Sequence, residues 1–142
     1  MSRKPVFWVY WIATALVCAG YLLGAVIYTF NHDMVAQGMQ QFGYPVYLTY
    51  LLPAVKVLGP LAILSRVSVA LSDLAYAGMF YHLALAFLAH VTSGVPGWDG
   101  AVVFFVLMLV SFFTQNAVRK PQSPYAGIRW SVASPTGRLK IE

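Results

Sequence analysis

Lys56, Asp73, His82 and His90 are ionisable side chains set inside long apolar runs. A Lys or Asp at the centre of a membrane helix carries a penalty of about 2.5–3.5 kcal/mol, so such residues face a bundle interior and have a partner or a task. Lys56 stands apart, because every other Lys or Arg lies in a segment flanking the apolar runs. Two readings stand side by side for it. It is satisfied by an acid or by carbonyls that nearby prolines free, or it is the cation of a ligand or proton pathway. Asp73 is the acid expected to pair with it. On antiparallel helices the two differ in depth by about four residues, or ~6 Å, and a lysine stem closes most of that gap. An acid in a first turn also suits the helix dipole.

At about 100° per residue, Tyr76 and His90 fall on the same broad face as Asp73, and His82 falls opposite. His82 shares a stripe with Ala75, Gly78, Ala86 and Ala89. That spacing predicts a His82 hydrogen bond across a close helix contact. His32 lies just past the first apolar run and His90 near the outer end of the third. Either both are interfacial residues without a task, or they form an acid/base or ligand-contacting pair at one mouth of the bundle. No His, Cys and carboxylate spacing matches a metal-ligand motif, so the expectation is no metal. The depths of His32, His82 and His90 do not suit a bis-His haem. No nucleotide loop, dinucleotide fingerprint or nucleophile elbow is present. Cys18 is the single cysteine. It can form no internal disulfide and reads as a buried small hydrophobe.

The elements that must position these groups follow from composition. The chain has 142 residues, 60% hydrophobic and 9% charged, with a mean hydropathy of +0.71. Soluble domains carry roughly 25% charged residues, so this chain cannot coat a water-soluble globule. Its four apolar stretches each match the roughly 20 residues of a membrane helix. They run from about Val6 to Tyr28, Tyr47 to Leu64, Val69 to Val91 and Trp98 to Val118. The predicted fold class is all-α, an integral membrane antiparallel four-helix bundle. Residues 1–120 form the membrane domain and 121–142 a polar tail, expected to be extended or partly disordered. The first run is too long for a signal-peptide core and is expected to be a retained span.

Gly20 and Gly24 form a Gly-x-x-x-Gly pair suited to close helix approach. Met34, Val35, Met39 and Phe42 share a helical face between the first two spans, which predicts a short interfacial helix broken at Gly43 and Pro45. Pro53 and Pro60 predict a kink in the second span. Arg3 and Lys4 precede span one, Arg66 separates spans two and three, and Arg119, Lys120, Arg129, Arg138 and Lys140 follow span four. The stretches 31–45 and 92–97 contain no Lys or Arg. This asymmetry predicts both termini inside. The net charge of +5 reads as topology and contact with anionic lipid, not as a nucleic-acid surface.

The order Tyr44-Pro45, Tyr47-Leu48, Lys56-Val57-Leu58-Gly59, Asp73-Leu74-Ala75-Tyr76-Ala77-Gly78, His90 and Gly94 resembles the DoxX-like family of four-span membrane proteins over roughly residues 7–118. In that family a Lys follows a Gly-Tyr-Pro motif, an acid precedes Ala-Tyr-Ala-Gly, and a His closes the third span. Lys56, Asp73, Tyr76 and His90 stand at those positions, with Asp73-Leu74 in place of the commoner Glu-Trp. His82 is not part of the pattern. The resemblance implies a four-helix bundle. It also implies a link to a thiosulfate:quinone oxidoreductase subunit and to oxidative-stress systems, and a distant animal relative is a receptor-assembly chaperone. Fold likeness alone does not fix chemistry. The leading expectation is a non-catalytic subunit or anchor of a quinone-linked membrane oxidoreductase complex. The alternatives are an assembly or structural subunit, and a small intramembrane isomerase or hydrolase acting on a lipophilic substrate. The candidate catalytic residues are Lys56, Asp73 and His90, and the candidate ligand contacts are these with Tyr76 and His32. No intrinsic cofactor is expected, a quinone or lipid being the ligand. Expected partners are membrane lipids and other membrane subunits, not nucleic acid, in a bacterial-type inner membrane.

Overall fold

The computed structural model describes residues 3–127; the tail positions Arg129, Arg138 and Lys140 lie outside the described residues. Five α-helices follow one another: α1 Arg3–Phe30, α2 His32–Gln41, α3 Leu48–Ser65, α4 Val69–Ser93 and α5 Trp98–Thr114, with a 3-10 turn at Gln115–Ala117. All but α2 are long and apolar enough to cross a membrane. Each lies within a few residues of its span as read from the apolar runs.

Four helices in up-down order make a square antiparallel bundle. α1 packs on α3 and α5, α4 packs on the same two, and α1 and α4 face each other across the diagonal. The outer faces are apolar, with Ile12, Leu23, Leu58, Leu74, Leu85 and Val103 all exposed. Lipid is the solvent such faces suit, and the chain is a membrane protein. Lipid tails offer no hydrophobic drive between helices, so close packing and interhelical hydrogen bonds must hold the bundle. The interior supplies both. Val17, Tyr21, Ile63, Tyr76, Met79, Leu83 and Met108 form one core cluster.

Each turn has a local cause. Arg66 ends α3 with φ 55°, and Ser68 then caps α4, its Oγ accepting from the Leu71 amide at 3.4 Å. α2 buries Val35 and Met39 against the bundle. Met34, expected on the same face, is exposed. The expected break follows, with Gly43 at φ 75°. α3 runs through Pro53 and Pro60 without interruption. The glycine pair in α1 serves two neighbours rather than one. A Cβ at Gly20 would run into the Phe104 ring of α5, and one at Gly24 would touch the Lys56 stem of α3 at 3.4 Å.

Of the tail, the structure describes residues up to 127, and these turn back onto the bundle. Asn116 is buried; its Nδ2 donates to the carbonyls of Ser123 (3.0 Å) and Ala126 (3.3 Å), and its Oδ1 accepts from the Ser123 amide (2.8 Å). Residues 119–127 are thereby folded back over the end of the bundle that carries the N-terminus of α1.

Candidate functional site

Polar groups inside the bundle lie in layers along its axis. At the end that carries the start of α1 and the end of α5, Asp73 enters from α4. Its Oδ1 accepts from Gln115 Nε2 at 3.1 Å and its Oδ2 from Ser123 Oγ at 2.8 Å. Gln115 in turn accepts from Arg119 Nη1 (3.3 Å), and Arg119 Nη2 donates to the Ser68 carbonyl (2.9 Å). The carboxylate therefore reaches a buried guanidinium through an amide relay. Lys56 is not its partner, and the pairing expected between them is not formed.

One turn further in, Ser111 Oγ on α5 lies 2.7 Å from both Thr14 Oγ1 on α1 and Tyr76 Oη on α4. These three hydroxyls tie three helices together, and all three residues are buried. Beyond them Val17, Ile63, Met79 and Met108 close the interior with an apolar plug.

The next layer holds Lys56. Its Nζ sits 5.2 Å from the ring centroid of Tyr21 and 4.9 Å from that of Tyr28, with Gly24 leaving room for the stem. No carboxylate pairs with it among the described residues; there the ion-pair geometry is limited to His32 with Asp33, at 3.8 Å. Tyr21 Oη meets His82 Nδ1 at 2.9 Å. His82 thus hydrogen-bonds across the bundle as its spacing predicts, although the partner lies on the diagonal helix.

The two remaining histidines occupy the far end with separate partners. Thr49 Oγ1 donates its hydrogen to the Val46 carbonyl (2.7 Å), so it accepts from His32 Nε2 (2.8 Å), which fixes the proton on Nε2. His90 Nδ1 donates to the Val95 carbonyl at 3.1 Å, and Phe42 packs edge-on at 4.8 Å. Gly97, at φ 123°, is required here: a Cβ on it would lie 2.8 Å from His90 Cε1. His90 therefore closes the turn between α4 and α5. Lys56, Asp73 and His90 do not converge, and no acid/base pair forms among them.

Two of the expected ligand contacts do share a surface. Asp73 and Tyr76 line a groove of about 610 Å³ between α4 and α5, together with Phe80, Met108, Leu109 and Phe112. Two lining tyrosines, Tyr81 and Tyr125, were not singled out by the sequence. Both are exposed and their hydroxyls have no hydrogen-bond partner among the described residues. Tyr125 stands fifty-two positions beyond Asp73 in the folded-back tail, so no spacing rule could have linked them. Tyr81 falls on the same helical side as Ala77 and Phe80, a signal that could have found it. Lys56, His32 and His90 are not part of this groove. Among the described residues no three His, Cys, Asp or Glu side chains gather as a metal cluster would require.

Compared with known proteins, residues 12–114 match the family model described as the DoxX-like family. No curated protein and no solved structure matches the chain.

Proposed function

The chain belongs to the DoxX-like family, and from that premise we propose that it is a non-catalytic subunit or anchor of a quinone-linked membrane oxidoreductase complex. The groove between α4 and α5 carries the proposal. It opens to the lipid side of two spans and is almost wholly apolar, with Asp73 and the phenols of Tyr81 and Tyr125 among the groups that line it. A quinone has the same division: an isoprenoid tail for Phe80, Leu109 and Phe112, and carbonyls for the free phenols of Tyr81 and Tyr125. Ligand sites of this size and character are mostly apolar with a few placed polar groups.

The separation of Lys56, Asp73 and His90 favours a binding role over proton-transfer catalysis. General acid–base chemistry needs groups within hydrogen-bond reach of one reacting proton, and each of these three is committed elsewhere. The same reading puts the end bearing the termini in the cytoplasm of a bacterial-type inner membrane. Its support is the placement of Lys4, Arg66, Arg119 and Lys120 at that end.

The test is gentle extraction from the native membrane followed by native mass spectrometry, with an Ala77→Trp variant that fills the groove. Wild-type chain should carry partner subunits and a quinone, and the variant should lose the quinone about tenfold while keeping its fold. An oxidoreductase complex that assembles and turns over fully without this chain would refute the proposal.

A further inference from the structure

A second cavity, of about 680 Å³, lies at the end of the bundle where α1 starts and is unlike the first. Three stretches of chain form it: the start of α1 with Lys4, Phe7 and Trp8, the turn from Arg66 to Val69, and residues 117–121. Lys4, Arg66, Arg119 and Lys120 all line it, and among the described residues no carboxylate does. Topology explains why cations sit on one side of a membrane. It does not explain why four of them, drawn from three separate segments, border one hollow.

The arrangement is held in place. Arg119 is buried and its guanidinium is fixed by Gln115 and the Ser68 carbonyl. Arg66 rests on the Trp11 ring at 4.7 Å and reaches the Val118 carbonyl at 3.5 Å. These contacts leave most N–H donors of both guanidiniums uncommitted. Val69, which also lines the cavity, opens α4 and so adds the positive end of a helix. Four like charges around one hollow repel one another unless an anion lies between them. Guanidinium forks and helix N-termini both match the geometry of phosphate oxygens. Phe7 and Trp8 supply apolar walls beside these charges.

We propose that this cavity binds a phosphate group, of the kind carried by an anionic phospholipid headgroup. The site is separate from the groove between α4 and α5 and does not depend on the role assigned to that groove.

Native mass spectrometry of the full chain tests it, using phosphatidylglycerol and phosphatidylcholine with identical acyl chains and, in a parallel arm, glycerol 3-phosphate. Each cation near an anionic lipid contributes about a fivefold change in binding. A Lys4→Gln/Lys120→Gln variant alters two exposed side chains, so the fold should survive, and it should lose about tenfold or more. A Gln40→Glu/Gln41→Glu variant changes the net charge by the same amount at the opposite end of the bundle and should leave retention within about twofold. Preference for phosphatidylglycerol, lost in the first variant alone, supports the site with lipid as the source. Retention of glycerol 3-phosphate without any lipid preference supports a phosphate site that takes a soluble ligand. Equal retention of both lipids with no glycerol 3-phosphate bound, or equal loss in both variants, overturns the proposal.

Discussion

Replacing Ser123 by Ala should loosen the segment that folds back over the bundle, by an amount the geometry bounds. Ser123 Oγ donates to Asp73 Oδ2 at 2.8 Å, and Ser123 is fully buried while Asp73 is half-buried. A hydrogen bond to a charged acceptor contributes about 1.5–3 kcal/mol. The partial exposure of Asp73 places this one near the lower end, at about 1.5–2 kcal/mol. A change of that size alters a local opening equilibrium roughly ten- to thirtyfold. The reporter is the amide at position 123, which donates to Asn116 Oδ1 at 2.8 Å and is untouched by the substitution. Hydrogen exchange in micelles should speed up by that factor at this amide, while the α4 amides near Met79 and Leu83 keep their protection. Asp73→Ala should act in the same direction and more strongly, because it also strands the buried Gln115 amide. The double variant should fall short of the sum by about 1.5 kcal/mol, the coupling of the shared bond. Exchange at position 123 within about twofold of wild type, or strict additivity, would show that the bond does not hold the segment.

The glycine pair and the hydroxyl trio give two further predictions. Gly20→Ala drives a methyl into the Phe104 ring and should cost about 1–3 kcal/mol by overpacking, whereas Gly24→Ala meets Lys56 at an ordinary 3.4 Å. The second change also gains up to about 1 kcal/mol of helix propensity. Thermal unfolding in detergent should rank Gly24→Ala near wild type and Gly20→Ala below it, and the reverse order would contradict the packing described. Ser111→Ala should lower stability more than Tyr76→Phe. It removes the shared oxygen that Thr14 and Tyr76 both reach, at about 1–3 kcal/mol for a buried polar group whose bond is lost, while Tyr76→Phe keeps the Thr14–Ser111 bond. Equal effects in the same unfolding assay would mean that the trio does not act as a unit.

The four spans were legible because their signal is local: apolar runs of membrane length, punctuated by Gly94, Gly97 and Pro45. His82 was legible for a related reason, since a polar residue on a stripe of small ones has to bond across the bundle. Asp73 was not. Its partners Gln115 and Ser123 lie beyond the apolar core of the last span, where the polar sequence carries no periodicity to show that it folds back. Sequence reasoning paired opposite charges, and the bundle satisfied the carboxylate with two neutral donors. Tyr28 marks the end of the first apolar run in the sequence, with no sign of a partner. Its position on α1, one turn beyond Gly24, instead aims its ring at Lys56. The groove between α4 and α5 could not be read at all, because Tyr125 reaches it from a segment with no helical phase.

Lys56 shows how a charge can be kept inside such a bundle without a counterion. The insertion penalty for a central lysine is about 2.5–3.5 kcal/mol. A desolvated cation–π contact is worth about 2 kcal/mol, and Lys56 has two tyrosine rings within about that reach, at 5.2 and 4.9 Å. Together they offset the penalty without any carboxylate. The stem runs close along α1 at Gly24, where an added Cβ would meet it at 3.4 Å, an ordinary contact distance. Asp73 is satisfied just as locally, and the plug of Val17, Ile63, Met79 and Met108 keeps the two layers apart. The polar residues of this interior are therefore best understood layer by layer, as hydrogen-bonded ties between helices that lipid alone would not hold together.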